Sequence, residues 1–383
     1  MAPTRQTGPV GAGRTGDRPA GEVMTTGDPL RVAYTLEQCW HPVPGGTAIA
    51  ALRIARELRR IDEIELHYVA GRHPLPPAVS YRPDGSVSML PLSRPLLYEA
   101  WVRLRWPKVE SVTGMVEVVH ATGLIPAATS CPLVVTVHDL AFLHRPDQFT
   151  GHGARLMTKS IEKIRERADL VICSSAATIG DCVDAGIDVG RVRHVPLGVD
   201  LTDVSESDVA RIRTKYRLPH EFILFVGTLE PRKNLARLVR AVDRLDTLPL
   251  VVAGTDGWGD QVELAASSAL LLGFVPDDDL TALYAAASVF AYPSEREGFG
   301  LPVLEAFAQG TAVVTSLGTS TEEVAGGAAV LVDPFDVASI ADGLQRALAD
   351  APALGRAGRE RAATMSWTAA ADRTVDVYRE LAR

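Results

Sequence analysis

Two glutamates eight positions apart, Glu297 and Glu305, bracket the glycine-rich segment Gly298-Phe-Gly-Leu-Pro-Val-Leu304. This pattern predicts a loop running into a helix, because Pro302 suits the first helical position. Backbone N–H groups at a helix start have no partner within the helix and bind anions readily. The predicted binding residues of this loop are Gly298, Phe299, Gly300 and Leu301.

Glu305 is predicted to lie in the first turn of that helix, where side chains lean back toward the helix start. An anion held by the loop would then have one carboxylate on each side. Because a carboxylate repels a diphosphate, the two glutamates are better suited to neutral hydroxyl groups. Sugar and ribose hydroxyls flanking a diphosphate describe a nucleotide-sugar. The alternative is a capped helix with a solvated glutamate in its first turn, where negative charge is favourable.

A second segment places two cations at the start of another helix. The apolar run 222–227 ends in glycine and predicts a buried strand, and Asn234 is a good N-cap for the helix that follows. Arg232 and Lys233 lie just before this helix, where the macrodipole disfavours cations. An anion between them and the helix would explain both, since Arg grips phosphate oxygens as a fork and Lys supplies a point charge. Two solvated surface cations are the alternative.

Three motifs carry a resemblance to a known family. They are Gly227-Thr-Leu-Glu-Pro-Arg-Lys-Asn234, Gly273-Phe-Val-Pro276 and Tyr292-Pro-Ser-Glu-Arg-Glu-Gly-Phe-Gly-Leu-Pro-Val-Leu-Glu-Ala306. The chain resembles retaining glycosyltransferases of family 4 over nearly its whole length apart from the N-terminal tail. This resemblance implies an α/β architecture of the GT-B type, in which two Rossmann-like, doubly wound parallel-sheet domains face each other across a cleft. The Glu-Pro-Arg-Lys-Asn motif, followed by Ala253-Gly-Thr-Asp-Gly-Trp258, is most similar to the mannosyltransferase members.

The resemblance implies roles in both halves of the chain. In the second half, Gly227 and Thr228 belong to the donor site, and Phe274 and Val275 lie where similar proteins hold the nucleobase. We expect Arg232 and Lys233 to neutralise the diphosphate without a metal, Glu297 to hold the sugar hydroxyls and Glu305 the ribose. The predicted site residues of the second half are Gly227, Thr228, Arg232, Lys233, Val275, Glu297 and Glu305.

In the first half, Gly45 and Gly46 open a predicted helix, and the resemblance implies that this loop faces the donor phosphates. A plain turn is the alternative. His138 and Asp139 end an apolar strand, and the pair could supply general base catalysis. The resemblance implies instead that His138 touches the transferred sugar while Asp139 orients it. A strand-end histidine that caps a turn is the structural alternative.

Length and composition narrow the classes of function. A chain of 383 residues exceeds one ordinary core, so two domains are expected. A net charge of −8 argues against a nucleic-acid partner, which needs a basic surface. The cysteines lack metal or redox spacing, and no segment has the length and apolarity of a membrane span, which predicts a cytoplasmic protein with reduced thiols. The sequence Gly11-Ala-Gly-Arg-Thr-Gly16 matches a dinucleotide fingerprint, but no predicted strand precedes it, so we reject it.

Strands alternating with helices predict two parallel sheets. Strands are expected at 30–35, 65–70, 117–120, 133–138, 170–173 and 192–195, then at 222–226, 250–253, 269–272, 289–292, 312–315 and 330–332. A first helix is expected at 47–60. The predicted limits are a disordered tail at 1–28, an acceptor-side domain at 29–200, a nucleotide-sugar-binding domain at 201–365 and a helix at 366–383 that crosses back to the first domain.

The segment 93–108 interleaves aromatic and cationic residues, including Trp101, Arg103, Arg105 and Trp106. This pattern suits a membrane surface or a glycolipid acceptor. An amphipathic helix docked on the first sheet is the alternative. The other glycosyltransferase fold would need an Asp-x-Asp metal signature. The only acidic cluster, Asp277-Asp278-Asp279, is expected to cap a helix start instead.

The residues and the resemblance together therefore imply a metal-independent, retaining hexosyltransferase, and the resemblance favours GDP-mannose as donor with a glycan or glycolipid acceptor. A UDP- or ADP-glucose user of the same fold is the alternative within enzymes. A nucleotide-binding homologue without turnover is a further alternative, against which the presence of Glu297, Glu305, Arg232 and Lys233 argues.

Overall fold

The computed structural model describes residues 28–255 and 269–382. In this part of the chain, the strands form two parallel sheets, one of seven strands and one of six. The first sheet contains β1 (Leu30–Thr35), β2 (Ile64–Ala70), β3 (Val87–Met89), β4 (Val118–Ala121), β5 (Leu133–Val137), β6 (Leu170–Cys173) and β7 (Val192–His194). The second contains β8 (Ile223–Val226), β9 (Leu250–Ala253), β10 (Leu270–Gly273), β11 (Val289–Tyr292), β12 (Ala312–Ser316) and β13 (Val330–Val332).

Helices connect most of the strands. They are α1 (Gly45–Leu58), α2 (Arg94–Leu104), α3 (Glu110–Thr113), α4 (Ala141–His144), α5 (Gly151–Arg167), α6 (Ala176–Asp184), α7 (Glu206–Tyr216), α8 (Leu235–Leu245), α9 (Asp277–Ala286), α10 (Leu301–Ala308), α11 (Ser320–Ala325), α12 (Val337–Ala349), α13 (Ala351–Ala363) and α14 (Trp367–Leu381). Short 3-10 helices lie at Glu37–Trp40, Val79–Tyr81, Pro146–Gln148, Val189–Arg191 and Pro231–Lys233.

The strand orders are β3-β2-β1-β4-β5-β6-β7 and β10-β9-β8-β11-β12-β13. In each sheet the first strand of that half, β1 or β8, pairs with its successor on one side and with a later strand on the other. The order therefore reverses beside β1 and beside β8, and ligands bind at the carboxyl ends of strands at such points. The predicted fold class of two parallel-sheet α/β domains is confirmed.

The strands form because their residues are apolar on both faces, as a sheet covered by helices requires. All residues of β5, β6, β9 and β11 are buried. Strand β3 was not predicted, because it has only three residues at the sheet edge, two of them partly buried and Met89 exposed, and they carry little pattern. Helix α1 begins at Gly45, two residues earlier than predicted, so the glycine pair is the first part of the helix itself.

The last helix, α14, packs against α1 of the first half. The Tyr378 hydroxyl is hydrogen-bonded to Nδ1 of buried His120 at 2.7 Å, and Arg379 forms an ion pair with Glu63 at 2.6 Å. The chain thus returns to the first sheet after it has built the second. The residue limits of the two domains stay predictions.

The segment 93–108 forms helix α2 and the turn after it. Leu97 and Trp101 are buried in the core of the first sheet, whereas Leu104 and Trp106 are exposed. The buried side chains explain why the helix docks on the sheet. Contact with a membrane stays a prediction, which sedimentation with anionic vesicles would test. None of the helices within 28–255 and 269–382 is long and apolar enough to cross a bilayer.

We predict that Gly198→Ala destabilises the protein by about 1 to 3 kcal/mol, the usual cost of overpacking a tight contact. A Cβ at Gly198 would lie 2.1 Å from the backbone nitrogen of Trp367, at the start of α14. The control is Gly123→Ala, where the added Cβ meets nothing within 4 Å. Urea unfolding measures both variants. Equal stability of the two would contradict the packing of α14 on the segment after β7.

Candidate active site

A cleft of about 1000 Å³ lies between the carboxyl ends of the two sheets. Every residue that the sequence singled out for the site lines it. They are Gly45, Gly46, His138, Asp139, Gly227, Thr228, Arg232, Lys233, Val275, Glu297, Gly298, Phe299, Gly300, Leu301 and Glu305. The structure thus brings together segments that are as much as 260 positions apart in the sequence, from 45 to 305. Their individual roles stay predictions.

The two predicted cations share one carboxylate. Arg232 Nη1 donates to one oxygen of Glu297 at 3.0 Å, and Lys233 Nζ donates to the other at 2.7 Å. Arg232 Nε donates to Glu230 at 2.8 Å, and Lys233 also donates to the hydroxyl of Tyr292. Two positive and two negative side chains therefore form a compact, mostly buried cluster on one wall of the cleft.

The cluster fixes the charge state of Glu297. Burial alone would raise the pKa of this carboxyl, but Lys233 and Arg232 outweigh burial and lower its pKa to about 2. Burial lowers the pKa of Lys233, and the Glu297 carboxylate acts in the opposite direction. The ion pairs thus hold Glu297 in its charged form at neutral pH.

The glycine loop of the second half lies directly against the first half. A Cβ on Gly298 would stand 2.0 Å from the carbonyl oxygen of His138, so only glycine fits at this position. The Gly298 carbonyl accepts hydrogen bonds from Ser175 Oγ at 2.6 Å and from Thr178 Oγ1 at 3.2 Å. Ser175 is also the N-cap of α6. These contacts fix the loop across the cleft.

Two helix starts meet in the cleft. Gly45 has φ 59° and begins α1, while Gly300 has φ 112° and precedes α10, conformations that favour glycine. A Cβ on Gly46 would lie 3.5 Å from Leu301 Cδ1, so the two starts are close. Unpaired N–H groups and the positive ends of two helix dipoles therefore converge there, an arrangement that favours an anion.

Glu305 lies deeper in its helix than predicted. Helix α10 begins at Leu301, which makes Glu305 its fifth residue and places it beyond the first turn. The expectation was wrong by one residue, because Pro302 occupies the second position of the helix and not the first. The Glu305 carboxylate accepts a hydrogen bond from Tyr284 at 2.9 Å and still lines the cleft.

The surroundings of Glu305 differ from those of Glu297. Burial raises the pKa of Glu305 to about 6, with a further contribution from Asp277, while Tyr284 and Arg53 oppose the rise. Arg53 also forms an ion pair with Asp200 at 2.9 Å. The two glutamates of the motif therefore have opposite shifts, one set by cations and the other by burial.

Two predicted helix caps were wrong. Asn234 occupies the N-cap position of α8 with φ 62°, but its side-chain amide donates to the carbonyls of Pro293 and Pro334 at 2.8 and 2.6 Å. Pro276 occupies the N-cap position of α9, and the aspartates 277–279 are the first three residues of the helix and do not cap it. Asp279 instead forms ion pairs with Arg211 at 2.6 Å and Lys215 at 2.5 Å. Tertiary partners outcompete local capping in both cases.

His138 and Asp139 make separate contacts. His138 Nε2 donates to the carbonyl of Thr122 at 3.2 Å, and Asp139 accepts a hydrogen bond from the backbone N–H of Ala141 at 3.1 Å. Burial lowers the pKa of His138, against smaller opposing effects of the Thr122 carbonyl and Asp139. A neutral histidine can contact a sugar hydroxyl, whereas these partners do not align the pair as a general base dyad.

The two predicted nucleobase residues differ in exposure. Phe274 is 58% exposed, whereas Val275 is 6% exposed and belongs to the core. Both follow β10 and line the cleft. An exposed aromatic ring offers a stacking surface, so Phe274 is better placed to meet a base face than Val275.

Sequence reasoning missed several residues around the site. Glu230 and Tyr292 complete the ion cluster, and Tyr284 holds Glu305. Glu230 stands inside the Glu-Pro-Arg-Lys motif, so its place two residues before Arg232 was a usable signal. Tyr292 ends the predicted strand 289–292, whose apolar pattern reports burial but not a hydroxyl partner. Tyr284 stood in no predicted strand or motif.

No three His, Cys, Asp or Glu side chains of the described ranges gather closely enough to hold a metal ion. The sequence Asp256-Gly-Trp258, part of the mannosyltransferase-like motif, and the dinucleotide-like sequence 11–16 lie outside the described residues, as does the tail up to 27. Metal independence therefore stays a prediction.

The opposite pKa shifts of the two glutamates give a paired prediction. Glu297 stabilises the fold above its unfolded pKa of about 4.5, and this stability, roughly 3 kcal/mol, is lost as the pH falls toward about 2. The ionised Glu305 carboxylate lowers the free energy of unfolding by roughly 2 kcal/mol once the pH rises above about 6. Relative to wild type, Glu297→Gln should therefore lose most stability near neutral pH, and Glu305→Gln should gain there.

Urea unfolding of both variants over a series from about pH 3 to about pH 8 measures these differences. Each variant is the control for the other, because both remove one buried carboxylate from the same loop and helix. Parallel pH profiles for the two variants would contradict the assigned environments.

The comparisons with known proteins agree with this geometry. The model described as glycosyl transferases group 1 matches residues 208–364, and that of glycosyltransferase family 4 matches residues 44–203. The O-antigen chain mannosyltransferase B of Escherichia coli is 30% identical over 92% of this chain and all of the relative. The D-inositol 3-phosphate glycosyltransferase of Salinispora tropica is 30% identical over 88% of this chain and 81% of the relative.

Solved structures share the fold. The sucrose-phosphate synthase from Thermosynechococcus elongatus superposes with a TM-score of 0.70 at 22% identity, covering 92% of this chain and 99% of that one. Anabaena HepE in complex with UDP-glucose gives a TM-score of 0.66 at 19% identity, covering 92% and 98%. Given the matched relatives, the two facing sheets and the shared cleft, this chain belongs to the family 4 glycosyltransferases and has the GT-B fold.

Proposed function

We propose that this glycosyltransferase moves a mannosyl residue from GDP-mannose to a hydroxyl of a glycan or glycolipid acceptor, with retention at the anomeric carbon. The observation that carries the proposal is the meeting of two helix starts with Arg232 and Lys233 in one cleft. The name of the 30% identical E. coli relative, which the alignment covers over its full length, supports mannose as the sugar.

The cleft provides for a diphosphate in two ways. The N–H groups at the starts of α1 and α10 would face its oxygens, and Arg232 and Lys233 would supply positive charge from the β8 side. Because both cations are already bonded to Glu297, an incoming phosphate would compete with this carboxylate for them. Glu297 would then be free to accept hydrogen bonds from the sugar hydroxyls, which is the role that its motif predicts.

The reaction follows from these positions. As the bond between the sugar and the diphosphate breaks, negative charge grows on the leaving phosphate, and stabilisation of that charge accelerates the step. The acceptor hydroxyl attacks from the face that the leaving group vacates, and a phosphate oxygen takes its proton. His138 would contact the transferred sugar, and Glu305 would accept a hydrogen bond from the ribose.

Glucose from UDP-glucose is the second candidate donor. A solved protein of the same fold contains UDP-glucose, which supports a uridine nucleotide in a cleft of this shape. That protein is only 19% identical to this chain, so its ligand bears less weight than the mannosyltransferase relatives. ADP-glucose remains an alternative from the sequence.

Arg232→Ala should reduce turnover by roughly a hundredfold or more, because it removes charge that the transition state needs. The matched control is Arg237→Ala, a cation on α8 whose partner is Glu295 at 2.6 Å and which does not line the cleft. Transfer from GDP-[14C]mannose to a mannose-terminated acceptor measures turnover, and circular dichroism verifies folding. Near-normal turnover of a folded Arg232→Ala variant would contradict the assignment.

Calorimetry with GDP, UDP and ADP tests the donor. We expect GDP to bind at least about tenfold more tightly than UDP or ADP, a difference of about 1.4 kcal/mol. A clear preference for UDP would replace mannose by the glucose alternative. Failure of all three nucleotides to bind would refute the proposed site.

A further inference from the structure

One wall of the cleft remains after the donor residues are placed, and it belongs to the first half of the chain. The wall is formed at the carboxyl ends of β1 and β2, by the 3-10 helix that ends at Trp40 and by the loop that contains His73 and Leu75. The rings of Trp40 and His73 are stacked, with centroids 4.8 Å apart and planes within 8° of parallel. We call these two rings the aromatic platform.

The platform is held by a buried charge. Glu37 is only 2% exposed, and its carboxylate binds both Nε2 of His73 at 3.0 Å and the backbone N–H of Gly71 at 2.6 Å. A buried carboxylate is costly unless its oxygens are bonded, so this pair orders the His73 ring firmly. Gly71 leaves room for it, because a Cβ there would lie 3.0 Å from Glu37 Oε2.

The Trp40 ring is fixed from two directions. Its indole N–H donates to the carbonyl of Leu75 at 2.9 Å, and His73 covers one ring face. His73 itself is mostly buried, whereas Trp40 is partly exposed and lines the cleft. The indole also packs against the hydrophobic core. This rigid ring therefore presents only its exposed part to the cleft, at low entropic cost to a ligand.

The chemistry of this surface suits a sugar ring. A pyranose has an apolar C–H face that packs on an aromatic ring, while its hydroxyls point sideways to polar neighbours. His41 is beside the platform, and its Nε2 is hydrogen-bonded to the Tyr98 hydroxyl at 3.0 Å. Burial, with Arg94 and His73, lowers the pKa of His41 to about 4, so this ring is neutral and can exchange hydrogen bonds with hydroxyls at neutral pH.

We propose that the aromatic platform of Trp40 and His73, held by Glu37, is the subsite that binds a saccharide ring of the acceptor. The inference rests on the proposed function, because it places the acceptor across the cleft from the nucleotide-sugar. Trp40 is five residues before Gly45, which begins α1 at the predicted phosphate site. A ring stacked on the platform thus lies next to the segment that faces the donor.

The test compares Trp40→Ala with two other variants. Trp40→Phe keeps an aromatic face, and Phe335→Ala removes an exposed aromatic ring (62%) of the second half that does not line the cleft. Isothermal calorimetry with α-linked mannotriose measures saccharide binding in the presence of GDP, and maltotriose is the comparison sugar. Calorimetry with GDP-mannose measures donor binding separately.

We expect Trp40→Ala to weaken mannotriose binding by about tenfold or more, the usual cost of removing a central aromatic anchor. Trp40→Phe should recover most of the affinity, Phe335→Ala should behave as wild type, and all variants should bind GDP-mannose equally. In transfer assays, Trp40→Ala should raise the KM for the acceptor and leave the rate of donor hydrolysis unchanged.

Two results would overturn the inference while leaving the proposed function intact. One is unchanged mannotriose binding by Trp40→Ala. The other is that the wild-type protein binds GDP-mannose but neither trisaccharide. If Trp40→Ala then loses binding to polyprenyl phosphate in detergent micelles, the platform belongs to a lipid site. Failure of wild type to bind GDP-mannose would instead refute the proposed function.

Discussion

The two halves of the molecule meet where Gly298 packs against the backbone of His138. The site depends on this contact, because the glycine loop bears Glu297 on one side and begins α10 on the other. Ser175 and Thr178 bond the carbonyl of Gly298, so two hydroxyls of the first half hold a loop of the second. A methyl group at this position would lie 2.0 Å from the carbonyl oxygen of His138, so the loop would have to move away from the first half.

The same contact explains why the charged cluster can be so compact. Arg232, Lys233 and Glu297 lie at the strand ends of the second sheet, and Glu297 directly precedes the glycine loop that contacts the first half. Water is largely excluded there, which strengthens each charge interaction and raises the cost of leaving any member unpaired. The aromatic platform on the opposite wall also depends on one buried carboxylate, that of Glu37.

Sequence patterns predicted the parts of this structure that repeat or that stand in a motif. Apolar runs gave twelve strands of two sheets, and the glycine and cation motifs led to residues that all line the cleft. The errors arose where a side chain has a distant partner. Asn234 and Asp279 have the composition of caps, but bonds to Pro293, Pro334, Arg211 and Lys215 decide their positions. The pairing of Glu297 with both cations was likewise invisible, because residues 65 positions apart carry no mutual signal in one sequence.

Helix α14 has a consequence for the order of synthesis. Tyr378 completes the hydrogen bonding of His120, a residue at the centre of the first sheet, and α14 also covers α1. The first half therefore lacks the helix that packs on α1 and bonds His120 until α14 has left the ribosome. A chimera that joins the donor half of this protein to the acceptor half of a relative needs its final helix from the relative, since that helix packs with the half that the chain builds first.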